Sequence, residues 1–209
     1  MTAIPFREMR RVYGFDEVAI APGKITVNPD LVAIEFKIRD LTFSTPIMAA
    51  AMDAVVDPNV AIQYSKLGGL AVLNLEGVQT RYDNPQEALD RIIQASDADV
   101  TTLLQKIYSE PIKETLIGDR IQAIKATGAR SAISLTPTNA KRFSLIAAEA
   151  GADVLLVQST VTTARHTSRS YKGLSFSELV QSVSIPLIVG NCVSYDAAFE
   201  LMQTGASGI

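Results

Sequence analysis

A (β/α)8 TIM barrel is the α/β fold this sequence predicts, on the strength of its punctuation, its strand character and the placement of its polar residues. Four times a helical pattern ends in glycine plus a small residue and an aliphatic run begins at once: SKLGGLAVLNL (65–75), KATGARSAISL (125–135), AEAGADVLLVQ (148–158) and MQTGASGI (202–209). Glycine supplies the left-handed residue that ends a helix, and a short loop then feeds a strand. The runs so started, with IPLIVG at 185–190, show no inside/outside alternation. Such strands are buried on both faces, as in a parallel sheet covered by its crossover helices. Polar residues gather where the runs stop: Met52-Asp53, Asn74 and Glu76, Thr136, Gln158-Ser159-Thr160 and Asn191. A doubly wound dinucleotide fold would show G-x-G-x-x-G after its first strand, and none is present, whereas barrels collect active-site residues at the C-terminal strand ends.

Taken in order, residues 1–45 stand outside the repeat, and VAIEFKIRDLTFSTP alternates in the β manner, predicting a small hairpin that caps the N-terminal mouth of the barrel. PIMAAAMDAVVDP opens as a strand over 46–50, and NVAIQYSKL follows as an amphipathic helix. After a strand at 69–73, residues 76–130 hold a polar loop and helical segments (NPQEALDRIIQAS, IQAIKAT) but no strand, a long crossover suited to an oligomer contact or a lid. Strands at 131–135, 153–157 and 186–190 then alternate with the helices NAKRFSLIAAEA, FSELVQSV and YDAAFELMQT, and another strand begins at Ala206. A closed barrel needs eight strands. Residues 1–209 are therefore expected to be the N-terminal part of a single barrel domain, the hairpin and roughly strands 1 to 6.

With 209 residues, 47% of them hydrophobic and 20% charged, the chain is an ordinary globular one. A net charge of −3 gives no global attraction to nucleic acid or an anionic membrane. No stretch is long and apolar enough to span a bilayer, and the N-terminus is charged where a signal peptide is apolar, so a cytoplasmic protein is expected. A single cysteine and a single histidine exclude a disulfide framework and argue against a metal site. Cys192 reads as a small buried hydrophobe rather than a nucleophile. His166 lies in TTARHTSRSYKG with Arg165, Arg169 and Lys172, either a solvated basic loop or a contact for a cofactor phosphate. Met52 and Asp53 suit gap filling and helix capping as well as ligand contact.

PIMAAAMDAVVD, LGGLAVLN, AGADVLLVQS and IPLIVGNCVSYDAA resemble, in the same order and over most of the chain, the IMP dehydrogenase and GMP reductase family. FREMRRVYGFDEVAIAPGK is most similar to the short, CBS-lacking members of cyanobacteria and actinobacteria. The resemblance implies an eight-stranded barrel, homotetrameric or larger, that binds a purine nucleotide and a nicotinamide cofactor at the C-terminal face. Its nucleophilic cysteine would sit on a loop beyond Ile209, so no catalytic residue is expected within this chain. Ala50 and Met52 fall where the family packs the nucleotide base, and Asn191 falls close to substrate and cofactor. Gln158 replaces an Asp near the cofactor ribose, with Ser159 and Thr160 keeping polar groups beside it. Arg165 and Arg169 complete the expected cofactor contacts. Residues 76–130 are too few for two CBS modules, and the basic loop suits NADPH. The resemblance thus implies reductive deamination of GMP to IMP with NADPH, or alternatively NAD-dependent oxidation of IMP to XMP. The change at Gln158 motivates a different class, a nucleotide-sensing paralogue without catalysis.

Overall fold

The computed structural model describes residues 11–167 and 173–209. By internal contacts the chain divides into two units, Met1–Ala33 and Ile34–Ile209. The described part of the first has two 3-10 turns, Phe15–Glu17 and Pro29–Leu31. The Gly14 N–H there donates to Glu17 Oε2 at 2.9 Å, and the Arg11 guanidinium lies 4.8 Å from the centre of the Tyr13 ring.

The second unit opens with the expected hairpin, β1 (Phe36–Ile38) against β2 (Leu41–Phe43), its Phe36 and Phe43 rings stacked at 4.7 Å. Five parallel strands follow: β3 (Met48–Ala49), β4 (Leu70–Asn74), β5 (Ala132–Leu135), β6 (Val154–Gln158) and β7 (Leu187–Gly190). They are joined in the order β3-β4-β5-β6-β7. A doubly wound sheet reverses its strand order at a switch point; a strictly sequential order is barrel winding. A sixth parallel strand starts where it is expected, Ser207 N–H donating to the Leu187 carbonyl at 2.6 Å and Val189 N–H to the Gly208 carbonyl at 3.0 Å. β3 is shorter than 46–50 because Pro46 has no N–H to give, and Met52 N–H turns back onto the Ala50 carbonyl at 2.8 Å.

The crossovers are α1 (Pro58–Lys66), then α2 (Val78–Arg81), α3 (Pro85–Gln94), α4 (Val100–Ser109) and α5 (Glu114–Lys125), then α6 (Pro137–Glu149), α7 (Phe176–Ser182) and α8 (Tyr195–Met202). Between β4 and β5 lie helices alone, as expected. α5 begins earlier than the IQAIKAT pattern indicates and carries Leu116 and Ile117 into the core. The glycines of the four repeats, Gly68, Gly128, Gly151 and Gly205, have φ of 81°, 79°, 96° and 89°. Each is the left-handed stop between a helix and the next strand.

Both faces of the strands are covered, which explains their unbroken apolarity. Ala71 and Leu73, Ile133 and Leu135, Leu155 and Val157, Leu187 and Val189 face the helices in the main core. The alternate residues Leu70, Val72, Ala132 and Val154 cluster with Ile38 and Phe43, so the hairpin plugs the N-terminal mouth. That end is fixed by Asp153, whose carboxylate accepts from Lys125 Nζ at 2.8 and 2.7 Å, Arg130 Nη1 at 3.2 Å and Ser131 N–H at 2.7 Å. Its side chain is only 11% exposed. Removing it strands two cations and an amide, so Asp153→Ala should cost about 3 kcal/mol, seen as a lower urea midpoint at unchanged slope. Lys125→Ala, whose acceptor retains other donors, should cost about 1 kcal/mol. Equal costs would remove Asp153 as the organiser of this end.

Candidate active site

At the C-terminal ends the first three strands are tied together by carboxylates. Asp53, just past β3, accepts from Val78 N–H at 3.0 Å, Tyr108 Oη–H at 2.6 Å and Asn74 Nδ2 at 3.5 Å. It therefore starts α2 and anchors α4 of the long crossover as well. A Cβ on Gly77 would lie 1.8 Å from Asp53 Oδ1, so the close approach requires glycine. Glu76 reaches across to the start of α6, accepting from the Thr136 N–H and from Asn139 Nδ2 at 2.6 Å, while its own N–H donates to Asn74 Oδ1 at 3.0 Å. Within this frame Met52 is 55% exposed at the mouth, its carbonyl accepting from Val55 and Val56 N–H, both at 2.9 Å. Ala50 beside it is exposed, and Ala51 packs against the inner cluster.

The exits of β6 and β7 are latched to each other. Gln158 lies opposite Gly190 in register; Ser159 N–H donates to the Gly190 carbonyl at 2.9 Å and Asn191 N–H to the Ser159 carbonyl at 3.0 Å. Thr162, buried, donates its hydroxyl to the Gly190 carbonyl at 2.6 Å and its N–H to the Asn191 carbonyl at 2.7 Å. Ser159 Oγ donates to the Val161 carbonyl and lies 2.9 Å from Thr162 Oγ1. Thus Gln158, Ser159 and Asn191 meet. Ala50 and Met52 lie at the far end of the strand order, separated by β4 and β5. Thr160 is exposed. Arg165 directs its fork at Glu200 of α8, with Nε at 3.2 Å from Oε2 and Nη2 on Oε1. Arg169 lies outside the described residues. Cys192 packs against the helix-side core, which agrees with its reading as a small hydrophobe.

Between the β5 and β6 exits opens a cavity of about 470 Å3. Ser159, Thr162 and Thr163 line one side, Thr136, Thr138 and Lys141 another, with His166, Leu174 and Phe176 behind. No carboxylate is among its described lining residues. Thr138, Lys141, Thr162 and Thr163 were missed in the sequence, although the first turn of a helix that follows a barrel strand is bound to face the site. Tyr108 carried no signal, since it meets Asp53 from a crossover 55 residues away. No helix of the described residues is long and apolar enough to cross a membrane, and they contain no group of three metal-binding side chains.

Sequential parallel β/α units with a cavity and convergent polar groups on the C-terminal face define a barrel of the enzyme-bearing class. The model of the IMP dehydrogenase / GMP reductase domain matches residues 12–209. The chain belongs to that family. It is 29% identical over 208 residues to an uncharacterized oxidoreductase of Mycobacterium tuberculosis (strain ATCC 25618 / H37Rv), covering 97% of this chain and 56% of that protein. It is 24% identical over 214 residues to the inosine-5'-monophosphate dehydrogenase of Cryptosporidium parvum, covering 93% of this chain and 50% of that one. An IMP dehydrogenase/GMP reductase-like protein from Corynebacterium glutamicum superposes with a TM-score of 0.89 at 30% identity, over 96% of this chain and 54% of that structure. The chain spans about half the length of the curated relatives it matches.

The Asp53 clasp has a pH signature. Burial first, and then the hydrogen bond to Asp53, push the Tyr108 phenol far above its ordinary value of 10.0. The unfolded phenol loses its proton near 10.0 while the folded one keeps it, so this contribution is intact below that pH and is lost as pH rises beyond it. Urea melts on either side of pH 10.0 should show a shallower alkaline loss of stability in Tyr108→Phe than in the unsubstituted protein. Parallel curves would mean that Tyr108 keeps no proton for Asp53.

Proposed function

We propose that the protein is a purine nucleotide oxidoreductase that converts GMP to IMP by NADPH-dependent reductive deamination, this chain supplying the base platform and the cofactor cavity. One observation carries the reading: the cavity beside the β6 exit has nucleotide size, many hydroxyls and no carboxylate among its described lining residues. Ribose hydroxyls find partners there, and an additional phosphate meets no like charge. NADPH, when bound, supplies the hydride.

Met52 offers a polarizable thioether face to the purine, and Ala50 leaves room for the ring. Asp53 and Glu76 are occupied by internal donors, which supports structural roles for both. The Asn191 backbone is tied into the latch, which leaves its side-chain amide to face substrate and cofactor. Gln158, Ser159 and Thr160 belong to the cofactor side, with Arg165 and Arg169 as outer phosphate contacts, Arg165 first releasing Glu200. A cysteine thiolate outside residues 1–209 adds to the purine C2, ammonia leaves, hydride reaches C2, and the thiolate is expelled. GMP, NADPH and two protons thereby give IMP, NADP+ and ammonium. A cytoplasmic homotetramer or larger homo-oligomer accompanies this reading. The likeness to the Cryptosporidium parvum protein favours one alternative, NAD-dependent oxidation of IMP to XMP.

The intact protein mixed with GMP and NADPH should lose the absorbance of reduced nicotinamide, and with IMP and NAD it should gain none. A gain in the second mixture alone would replace the lead reading with the alternative. Met52→Ala should raise the nucleotide KM roughly tenfold through lost apolar contact.

A further inference from the structure

Lys141 stands out within the cavity at the β6 exit. It sits in the second turn of α6, and it is the one lysine or arginine among the described lining residues. Five other basic residues of the barrel unit are held by carboxylates: Lys125 and Arg130 by Asp153, Lys113 by Asp83, Arg142 by Glu114, Arg165 by Glu200. What sets Lys141 apart from the remaining basic residues is its place in the cavity wall. Among the described residues Lys141 forms no ion pair and has no hydrogen-bond partner. Its neighbours across the cavity are hydroxyls, Thr138 on its own helix and Ser159 and Thr163 opposite. A hydroxyl serves a ribose or a phosphate oxygen equally well, but it cannot neutralise an ammonium. A ligand that completes this wall must bring the negative charge itself.

We propose that Lys141 is the phosphate-pairing residue of this cavity, the side chain that meets a phosphate of the bound dinucleotide. The inference rests on the cofactor reading above and adds to it the specific charge that reads the ligand. It gives α6 the inner phosphate contact, beside the outer one proposed for the loop arginines. The Arg165 fork is closed on Glu200, whereas Lys141 lies within the cavity wall with its charge unmatched. An ammonium is a compact point charge on a flexible stem, able to follow a phosphate without the planar fit that a guanidinium needs. A dinucleotide offers that phosphate either in its pyrophosphate or at the ribose 2′ position, and both are anions of the same chemistry.

Equilibrium titration of the intact protein with NADPH and with NADH, followed by nicotinamide fluorescence, tests this without turnover. Lys141→Ala should weaken NADPH binding about tenfold or more, and the remaining binding should depend less on salt concentration. Lys141→Arg should restore most of it. A larger loss for NADPH than for NADH supports pairing with the 2′-phosphate, and equal losses support the pyrophosphate. Thr138→Trp, an exposed position in the first turn, fills the cavity without removing the charge. If it abolishes binding while Lys141→Ala changes neither affinity nor salt dependence, the Lys141 proposal fails and the cofactor cavity stands. If neither variant moves the affinity, the dinucleotide binds elsewhere and both readings fall.

Discussion

One carboxylate at the mouth of the barrel, Asp53, ties the turn after β3 to the end of β4 and to the long crossover, whose helices α2 to α4 share an apolar cluster of their own. Its acceptors are filled by an amide at the start of α2, a phenol on α4 and the amide side chain that ends β4. Each bond is ordinary in strength, but a carboxylate that lost one would leave a half-buried charge short of a donor, and that is costlier than the bond itself is favourable. The turn carrying Met52 and the long crossover are therefore fixed by the same atoms. Glu76 repeats the device one strand further on, joining the β4 exit to the first turn of α6. Because α6 also forms one wall of the cavity, the turn carrying Met52 and the cavity at the β6 exit are mechanically continuous through two acidic side chains.

The two halves of the site are chemically different as a result. On the β3–β5 side the acids are consumed by the protein, and what reaches the mouth is a thioether and small alanines. On the β6–β7 side the strand ends are fastened by backbone amides and the Thr162 hydroxyl, a neutral latch that consumes no charge. A face with apolar character at one end and hydroxyls with one ammonium at the other suits a ligand set whose bases stack and whose sugars and phosphates stay polar. Had the latch been built from a carboxylate, the cavity beside it would have repelled phosphate.

The fold was legible because it is written in local terms. A left-handed glycine stands between helix and strand at four of the turns back into the sheet, and all four follow from the sequence alone, while the α7–β7 turn runs through Val183 to Pro186 without one. Strand burial was legible from unbroken apolarity, and the hairpin from its alternation. The site was legible only as far as strand ends announce themselves: Met52, Gln158, Ser159 and Asn191 lie at the mouth because strands stop there. Tyr108 and the Arg165–Glu200 pair were not, since each joins residues far apart in sequence through helix geometry that no short motif encodes. Lys141 looked like any charge on an amphipathic helix; only the cavity places it in a wall whose described lining residues include no carboxylate.

Cys192 shows how far position alone can mislead. As the sole thiol, at the end of a barrel strand beside Asn191, it occupies the place where a nucleophile would be sought. Along β7 the side chains alternate, Leu187 and Val189 to the helices and Ile188 to the interior. After the strand Cys192, partly buried, packs against the helix-side core. A thiol there contributes packing. A nucleophilic thiolate has to be presented to the interior of the barrel mouth, and the Cys192 side chain packs on the opposite, helix-facing side.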